Sequence, residues 1–409
     1  MTRRMLLAEY FLTEKQAVIV IAGGDDPEPE LVTVPYSLAA IREVVTELNT
    51  AWESAPHVPA ALARSTELLA HDLLVDLVVP VADRAAPGDR LWLIPHDALH
   101  RVPLHAVGEA LTAHSVAYAP SASILRHCRA HRGGPRRRAL AVVDPPATET
   151  LTFGAAQASL LAGLFSTETL AGTAASSVTI TRRLAAGAPD ILHVGTHGVF
   201  DMATPMGSGV LLADGLFTAE RFMGLRLAGT LVVLAACRTG VSSTRPGDEL
   251  LGLVRAVLHA GAPAVLVSLW TVDELATTML LGRFYEGLAA GESAIDALRA
   301  AQGRLRELTA LDVLGFLASV APLVDGEAAG RLLVAEARIR LAARDFAGAA
   351  AAGARALETL ADPLLRRTAE TLRQRALLLA GPEVVQDLAR PVYAHPFFWA
   401  AFVLIGDWY

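Results

Sequence analysis

The chain has 409 residues, 53% of them hydrophobic, and a formal net charge of −7. That length supports more than one sizeable core, the apolar content excludes intrinsic disorder, and the acidic balance argues against a nucleic-acid-binding surface. Two cysteines, Cys128 and Cys237, are too few for a disulfide framework, and the start turns charged too soon for a secretory leader, so a cytoplasmic chain without a membrane span is expected.

In chain order, Leu6 to about Tyr36 predicts a β-hairpin around a Gly-Asp-Asp-Pro turn. Two helices follow, one with Leu38, Ile41, Val44, Val45 and Leu48 at helical spacing, the next with Leu62, Leu68, Leu69 and Leu73. Leu91 to Ile94 and His114 to Tyr118 predict buried strands, so residues 1–130 read as a small α/β unit lacking a Cys and His pair at its strand ends. His96, His100, His105 and His114 fall in this unit without the tight spacing and acidic or thiol partners of a metal site, and neither metal nor cofactor is expected. The basic stretch Arg126 to Arg138, broken by Gly133, Gly134 and Pro135, predicts an exposed linker at 131–138 with solvated arginines and no aromatic residue for base stacking. Cys128 there has no strand end or glycine beside it and reads as a bystander thiol.

Ala139 to Val143 opens a second unit, 139–409, with the strand ended by Asp144-Pro145-Pro146. Helices are expected at Ala155 to Phe165 and Ser176 to Ala186. Two apolar runs then matter most, Ile191 to Gly198 and Leu231 to Gly240. Neither alternates with polar residues, so both predict strands buried on two faces, as in a parallel sheet. They place His197 and Cys237 at carboxyl ends of strands, the edge where open α/β sheets bind ligands. A thiol is mostly protonated at neutral pH, and an imidazole beside it takes its proton during attack. Gly198 lets backbone approach a substrate with no Cβ in the way. His193, inside its strand, reads as a packed core histidine.

Met206 to Gly215 predicts a hairpin arm walling one side of the crevice. After Cys237 come a turn at Arg238-Thr239-Gly240, a loop, and a helix opened by Asp248 and Glu249. The strand Ala264 to Trp270 then presents Ser268, Trp270, Asp273 and Glu274 on the edge of the Cys and His pair. Asp273 has two readings: the N-cap of the next helix, or an acidic floor for a substrate side chain, a place Asp248 and Asp214 also reach. Past the helix Ala294 to Leu308, residues 309–390 are too many for a plain loop. Arg331 to Leu360 reads as one degenerate TPR-like unit of two Ala-rich helices around Arg344-Asp345-Phe346, with Pro363 opening a third helix, or equally as a plain helical insertion. One such unit cannot bury a continuous core, so it must dock on its own chain or on a partner.

Several motifs in fixed order carry a family resemblance. H-V-G-T-H-G (His193 to Gly198) and A-A-C-R-T-G (Ala235 to Gly240) resemble the signature pair of CHAT domains, a caspase-like peptidase family often found beside TPR repeats. The stretches from Leu91 to Val107, Gly247 to Ala262, Val265 to Asp273 and His395 to Trp408 resemble further parts of it, and the likeness covers nearly all of the chain outside the insert. It implies an α/β fold with a caspase-like, mostly parallel sheet flanked by helices, whose N-terminal unit is a non-catalytic companion of the catalytic one. It further implies a cysteine endopeptidase with Cys237 as nucleophile and His197 as base, an oxyanion hole from the Gly198 and Cys237 amides, and a strand-end acid that selects Arg or Lys. A protein substrate, low activity until a partner or cleavage orders the site, and a role in bacterial immunity or regulated cell death belong to the same expectation. A different class of reading is a catalytically idle module whose insert recruits a partner. A nucleotide-dependent hydrolase lacks support, because neither G-x-x-x-x-G-K-[ST] nor a strand-linked G-x-G-x-x-G occurs.

Overall fold

The computed structural model describes residues 4–23, 26–55, 59–146, 151–199, 204–235, 248–381 and 384–408. The chain begins with strands β1 (Met5–Leu12), β2 (Ala17–Gly23) and β3 (Asp26–Val34), helices α1 (Leu38–Ser54), α2 (Pro59–Leu69) and α3 (Asp72–Arg84), strands β4 (Arg90–Ile94) and β5 (Ser115–Tyr118), and helix α4 (Ala122–Ala130). It continues with β6 (Arg138–Val143), α5 (Gly154–Ala162), β7 (Ser166–Ala171), α6 (Ser177–Ala186), β8 (Ile191–Gly195), β9 (Gly198–Val199), β10 (Gly209–Leu212), β11 (Gly215–Thr218), α7 (Ala219–Met223) and β12 (Leu231–Leu234). The last part holds α8 (Asp248–His259), β13 (Ala264–Ser268), α9 (Glu274–Ala289), α10 (Ala294–Glu307), α11 (Ala310–Val320), α12 (Gly326–Ala342), α13 (Phe346–Thr359), α14 (Pro363–Leu379), α15 (Pro396–Trp399) and β14 (Phe402–Gly406).

Among the described residues one eleven-stranded sheet runs through both halves in the order β3-β2-β1-β4-β5-β14-β13-β12-β8-β6-β7. Helices flank it, and most neighbours run parallel, so the predicted α/β, mostly parallel architecture is what the chain adopts. Strands β8, β12 and β14 are buried at every position, as residues covered by helices on both faces must be. The N-terminal segment is a three-stranded antiparallel meander rather than a hairpin. Its extra turn is built by Thr13, whose Oγ1 accepts the N–H of Lys15 and of Gln16, with no Gly or Asn to announce it. Strand β7 was not expected, because its STETLA sequence buries a single residue at the sheet's edge and shows no apolar run.

The strand nearest the C-terminus sits in the middle of the sheet. Strand β14 lies antiparallel to β13 over five register pairs and meets β5 at Ile405 and Tyr118, so it joins the two halves. Side chains lock this seam. Trp92 stacks on Trp408 with centroids 3.4 Å apart and donates to the Gly406 carbonyl at 3.0 Å, while Trp52 stacks on Trp270 at 3.8 Å. Gly406 has φ +113, and a Cβ there would strike the Pro263 carbonyl, so glycine alone fits where the strand ends. The next residue, Asp407, is fully buried, and Arg132 reaches it with two guanidinium nitrogens. The stretch 131–138 is therefore exposed but pinned, with the Arg137 and Arg138 amides both donating to Asp190 at 2.8 Å.

Residues 309–390 form the helical region α11 to α14. Its two ends are joined by a bridge between Thr309 and Pro391, with Ala310 donating to the Arg390 carbonyl and Val392 to that of Leu308. Helices α12, α13 and α14 pack around their own small cluster of Leu333, Val334, Ala356, Leu360 and Ala369. Asp345 caps α13 through Gly348, and Asp362 caps α14 ahead of Pro363.

Because Asp407 has no access to water, Arg132→Ala leaves a buried carboxylate uncompensated. A loss of about 3 kcal/mol is expected in urea denaturation, larger than for Asp407→Asn. A loss within error of zero would show that Arg132 is not what neutralises Asp407.

Candidate active site

Strand β8 delivers His197 to the carboxyl edge of the sheet, and the hairpin that follows fixes it there. Leu211 donates to the His197 carbonyl at 2.8 Å, and Thr196 Oγ1 donates to the Leu211 carbonyl at 2.6 Å. Gly198 lies opposite Val210. The bond from Leu211 to His197 makes that pair a non-hydrogen-bonded one, so the Gly198 N–H is directed away from β10. Under the strand end His193 is fully buried, its Nδ1 2.9 Å from the Tyr285 hydroxyl, and burial holds its pKa down at about 4, so the ring is neutral. Gly195 makes room for this packing: a Cβ there would sit 2.8 Å from His193 Nε2 and 2.9 Å from Gln157 Oε1.

Strand β12 lies parallel beside β8, with Leu234 opposite Val194 and the Ala235 amide donating to the Val194 carbonyl at 3.0 Å. His197 stands three residues past Val194, and Cys237 three residues past Leu234. Cys237 itself, with its turn at 238–240 and the loop after it, lies outside the described residues.

One acid, Asp144, approaches His197 from the other side, and a second, Glu274, interacts with Asp144. Asp144 follows β6, the parallel neighbour of β8, in a left-handed conformation with φ 49. Burial raises its carboxyl to about 6 against the opposing pull of the Leu151 amide and the His197 charge, and Oδ1 is buried with no hydrogen-bond partner among the described residues. A Cβ at Gly154 would run into this carboxylate. Glu274 accepts from the Phe153 amide at 2.7 Å, and burial, reinforced by the charges of Asp273 and Asp144, raises it to about 7.

A family model for the CHAT domain matches residues 64–407. The chain belongs to the CHAT domain family. Tetratricopeptide repeat protein 28 of Homo sapiens is 40% identical over 87 residues, and that of Mus musculus 39%, in each case 21% of this CHAT chain and 4% of the relative. The chain thus spans a small fraction of the length of the curated relatives it matches. Among solved structures, the Saccharomyces cerevisiae separase–securin complex aligns with a TM-score of 0.49 at 11% identity, covering 73% of this chain and 29% of that one. The Arg-specific cysteine proteinase gingipain R aligns with a TM-score of 0.33 at 12% identity, covering 46% of this chain and 50% of that one.

The remaining expected site residues of this CHAT domain divide sharply. Asp273 is the N-cap of α9, accepting from Ala276 at 2.8 Å; burial raises its pKa, and the cation that opposes this is Arg338 of α12. Its charge therefore meets the insert, whereas that of Glu274 meets Asp273 itself and then Asp144. Trp270 is buried between Trp52 and Phe397, its indole N–H on the Phe397 carbonyl, and offers no face to a substrate. Ser268 ends β13 half-buried, and Asp248 opens α8. Asp214 at the hairpin tip is engaged with the amide and hydroxyl of Ser177. The sequence reading missed Asp144. Its one signal is an acid placed directly after a strand and before two prolines, a pattern that the end of the strand alone explains. No cluster of three metal-ligating side chains occurs among the described residues, nor a helix long and apolar enough to cross a membrane.

Both raised carboxyls favour the protonated form in the folded chain. Their contribution to stability is complete below the ordinary carboxylate range and is lost as pH rises through about 6 for Asp144 and about 7 for Glu274. Urea midpoints of the wild type and Glu274→Gln, compared from pH 5 to pH 8, should show the wild type losing ground to the variant as pH rises. Parallel curves would mean that Glu274 is ionised throughout.

Proposed function

We propose that this CHAT domain is a cysteine endopeptidase. Cys237 Sγ attacks the scissile carbonyl carbon while His197 takes the thiol proton. The tetrahedral oxyanion is held by the amides of Gly198 and Cys237, and collapse expels the amine, which receives its proton from His197. Water, deprotonated by the same imidazole, then hydrolyses the thioester and returns the free thiol. The observation that carries this reading is the parallel pairing of β8 with β12, in which His197 and Cys237 stand the same number of residues beyond one register pair. The direction of the Gly198 N–H, away from β10, supports its place in the oxyanion hole.

Asp144 and Glu274 give the crevice beside His197 an acidic wall. Half-buried and opposed by no fixed cation among the described residues, only by His197 at Asp144, the two carboxyls favour a substrate that brings a positive charge, so the residue before the cleaved bond is Arg or Lys. The expected substrate is a protein partner, and the biological setting bacterial defence or regulated cell death. A partner-recruiting role for the insert draws support from α14, which leaves Leu364, Leu377, Leu378 and Leu379 exposed. Such a role is compatible with catalysis.

Cleavage sites mapped by protein N-terminal sequencing should fall after Arg or Lys in the wild type. Cys237→Ala and His197→Ala are each expected to lower turnover by about 10³-fold or more with little loss of stability. Asp144→Asn and Glu274→Gln should raise KM for these substrates by about 10-fold or more, and cleavage should weaken as pH falls through about 7 and then about 6, where Glu274 and Asp144 protonate. Undiminished cleavage by Cys237→Ala would end the peptidase reading, while unchanged KM in both acid variants would end only the assigned specificity.

A further inference from the structure

Away from His197, a cavity of about 80 Å³ lies between α10, β5 with the segment before it, and the stretch Trp399 to Val403. Its walls are about equally polar and apolar, the apolar part formed by Leu111, Val116, Ile295, Leu298, Phe402 and Val403. Seven polar side chains line it, Thr112 and Tyr118 among them. His105 and Gln302 are buried, His114 and Arg306 half-buried, and Arg299 exposed, so the cationic groups stand toward the mouth.

The inner pair is internally satisfied. His105 Nδ1 lies 2.9 Å from the Tyr118 hydroxyl, its Nε2 3.3 Å from Gln302 Nε2, and Gln302 donates to the Phe402 carbonyl at 3.0 Å. Burial holds the His105 pKa down at about 4, so this ring brings no charge. The outer groups are not satisfied to the same degree. His114 Nδ1 is buried with no hydrogen-bond partner among the described residues, an unfavourable state for a polar atom beside a cavity. Arg299 makes no ion pair among the described residues. Arg306 lies 4.7 Å over the Trp399 ring and shares its charge with one carboxylate, Glu109, at 2.9 Å.

We propose that this cavity binds a short aliphatic carboxylate. The carboxylate sits between Arg299 and Arg306 with His114 as a further donor, and the alkyl chain runs inward along Leu298, Val116 and Val403. The cationic mouth rejects an amine of the same length, and the apolar walls make an alkyl tail worth more than a second layer of charge. A volume of about 80 Å³ takes roughly five or six heavy atoms by comparison with the space a buried water needs. A ligand there touches α10, β5 and the residues leading into β14 at once, so it tightens the junction of the two halves without entering the crevice at His197.

Thermal unfolding and calorimetric titration of the full chain with sodium butyrate, butylammonium chloride, sodium phosphate and sodium chloride at matched ionic strength test this directly. Butyrate should raise Tm and bind, with the other three salts equal to one another. Arg299→Gln should weaken butyrate at least five-fold. Gly303→Leu is the second variant: a Cβ at this helical glycine, which lines the cavity, meets nothing within 4 Å, so the larger side chain is added at the cavity wall without a clash and should abolish the butyrate response at an undiminished basal Tm. Equal responses to butyrate and chloride, an equal response to phosphate, or a Gly303→Leu protein that still answers to butyrate would each overturn the proposal. Peptide cleavage is not part of the readout, so these outcomes are independent of the assignment of Cys237 and His197.

Discussion

The structure depends on where its last strand goes. Strand β14 is made of residues that leave the helical insert and run into the middle of the sheet, between β5 of the first half and β13 of the second. Until it is in place, two partial sheets each expose a long apolar edge, which is costly in unpaired backbone groups and prone to mispairing. Once it is in place, both edges vanish and two tryptophan stacks close over the joint. Asp407, buried in that layer, is neutralised by Arg132 from the segment between α4 and β6, so the stretch linking the halves also reports on their union. Strand β13 leads directly to α9, whose first residue is Glu274, and the acidic wall of the crevice therefore rests on this seam.

At the site itself, burial rather than ion pairing sets the chemistry. Three acids lie near the carboxyl edge, and for each of them burial is the largest influence on the carboxyl. They differ in what opposes it. Asp273 spends its oxygens on the α9 amides and faces Arg338, which is the position of a structural cap. Glu274, one residue on, projects toward Phe153 and Asp144 instead, because successive residues at the start of a helix point about 100° apart. A single step along the chain thus separates a carboxyl turned to the insert from one turned to Phe153 and Asp144.

How far these features were legible in the sequence follows from their range of interaction. Strands β8, β12, β13 and β14 announce themselves because burial on both faces leaves unbroken apolar runs, and the helical hairpin does so through Asp345 and Asp362-Pro363, whose capping is local. Strand β7 has no such signature, since an edge strand needs only one buried side chain, Leu170. Nothing local says that β14 should neighbour β5, because that pairing joins residues nearly three hundred apart and is decided by the whole sheet. His197 was legible from the glycine and the strand around it. Asp144 was not, since the same Asp-Pro-Pro that ends a strand also holds the acid beside a histidine brought in from another strand.

The insert is more than an excursion from the catalytic sheet. Its ends are tied at Thr309 and Pro391, so its helices can be carried as one body by α10 and by the segment entering α15. Yet it is not independent of the edge where His197 sits. Arg338 on α12 acts on the Asp273 carboxyl, and Asp273 caps the helix that begins with Glu274. A charge that stabilises the cap steadies the first turn of α9, and with it the direction in which Glu274 points. The added helices therefore contribute to the geometry of the acidic wall through the charge of Arg338 on the Asp273 carboxyl, even though none of their side chains stands beside His197 among the described contacts.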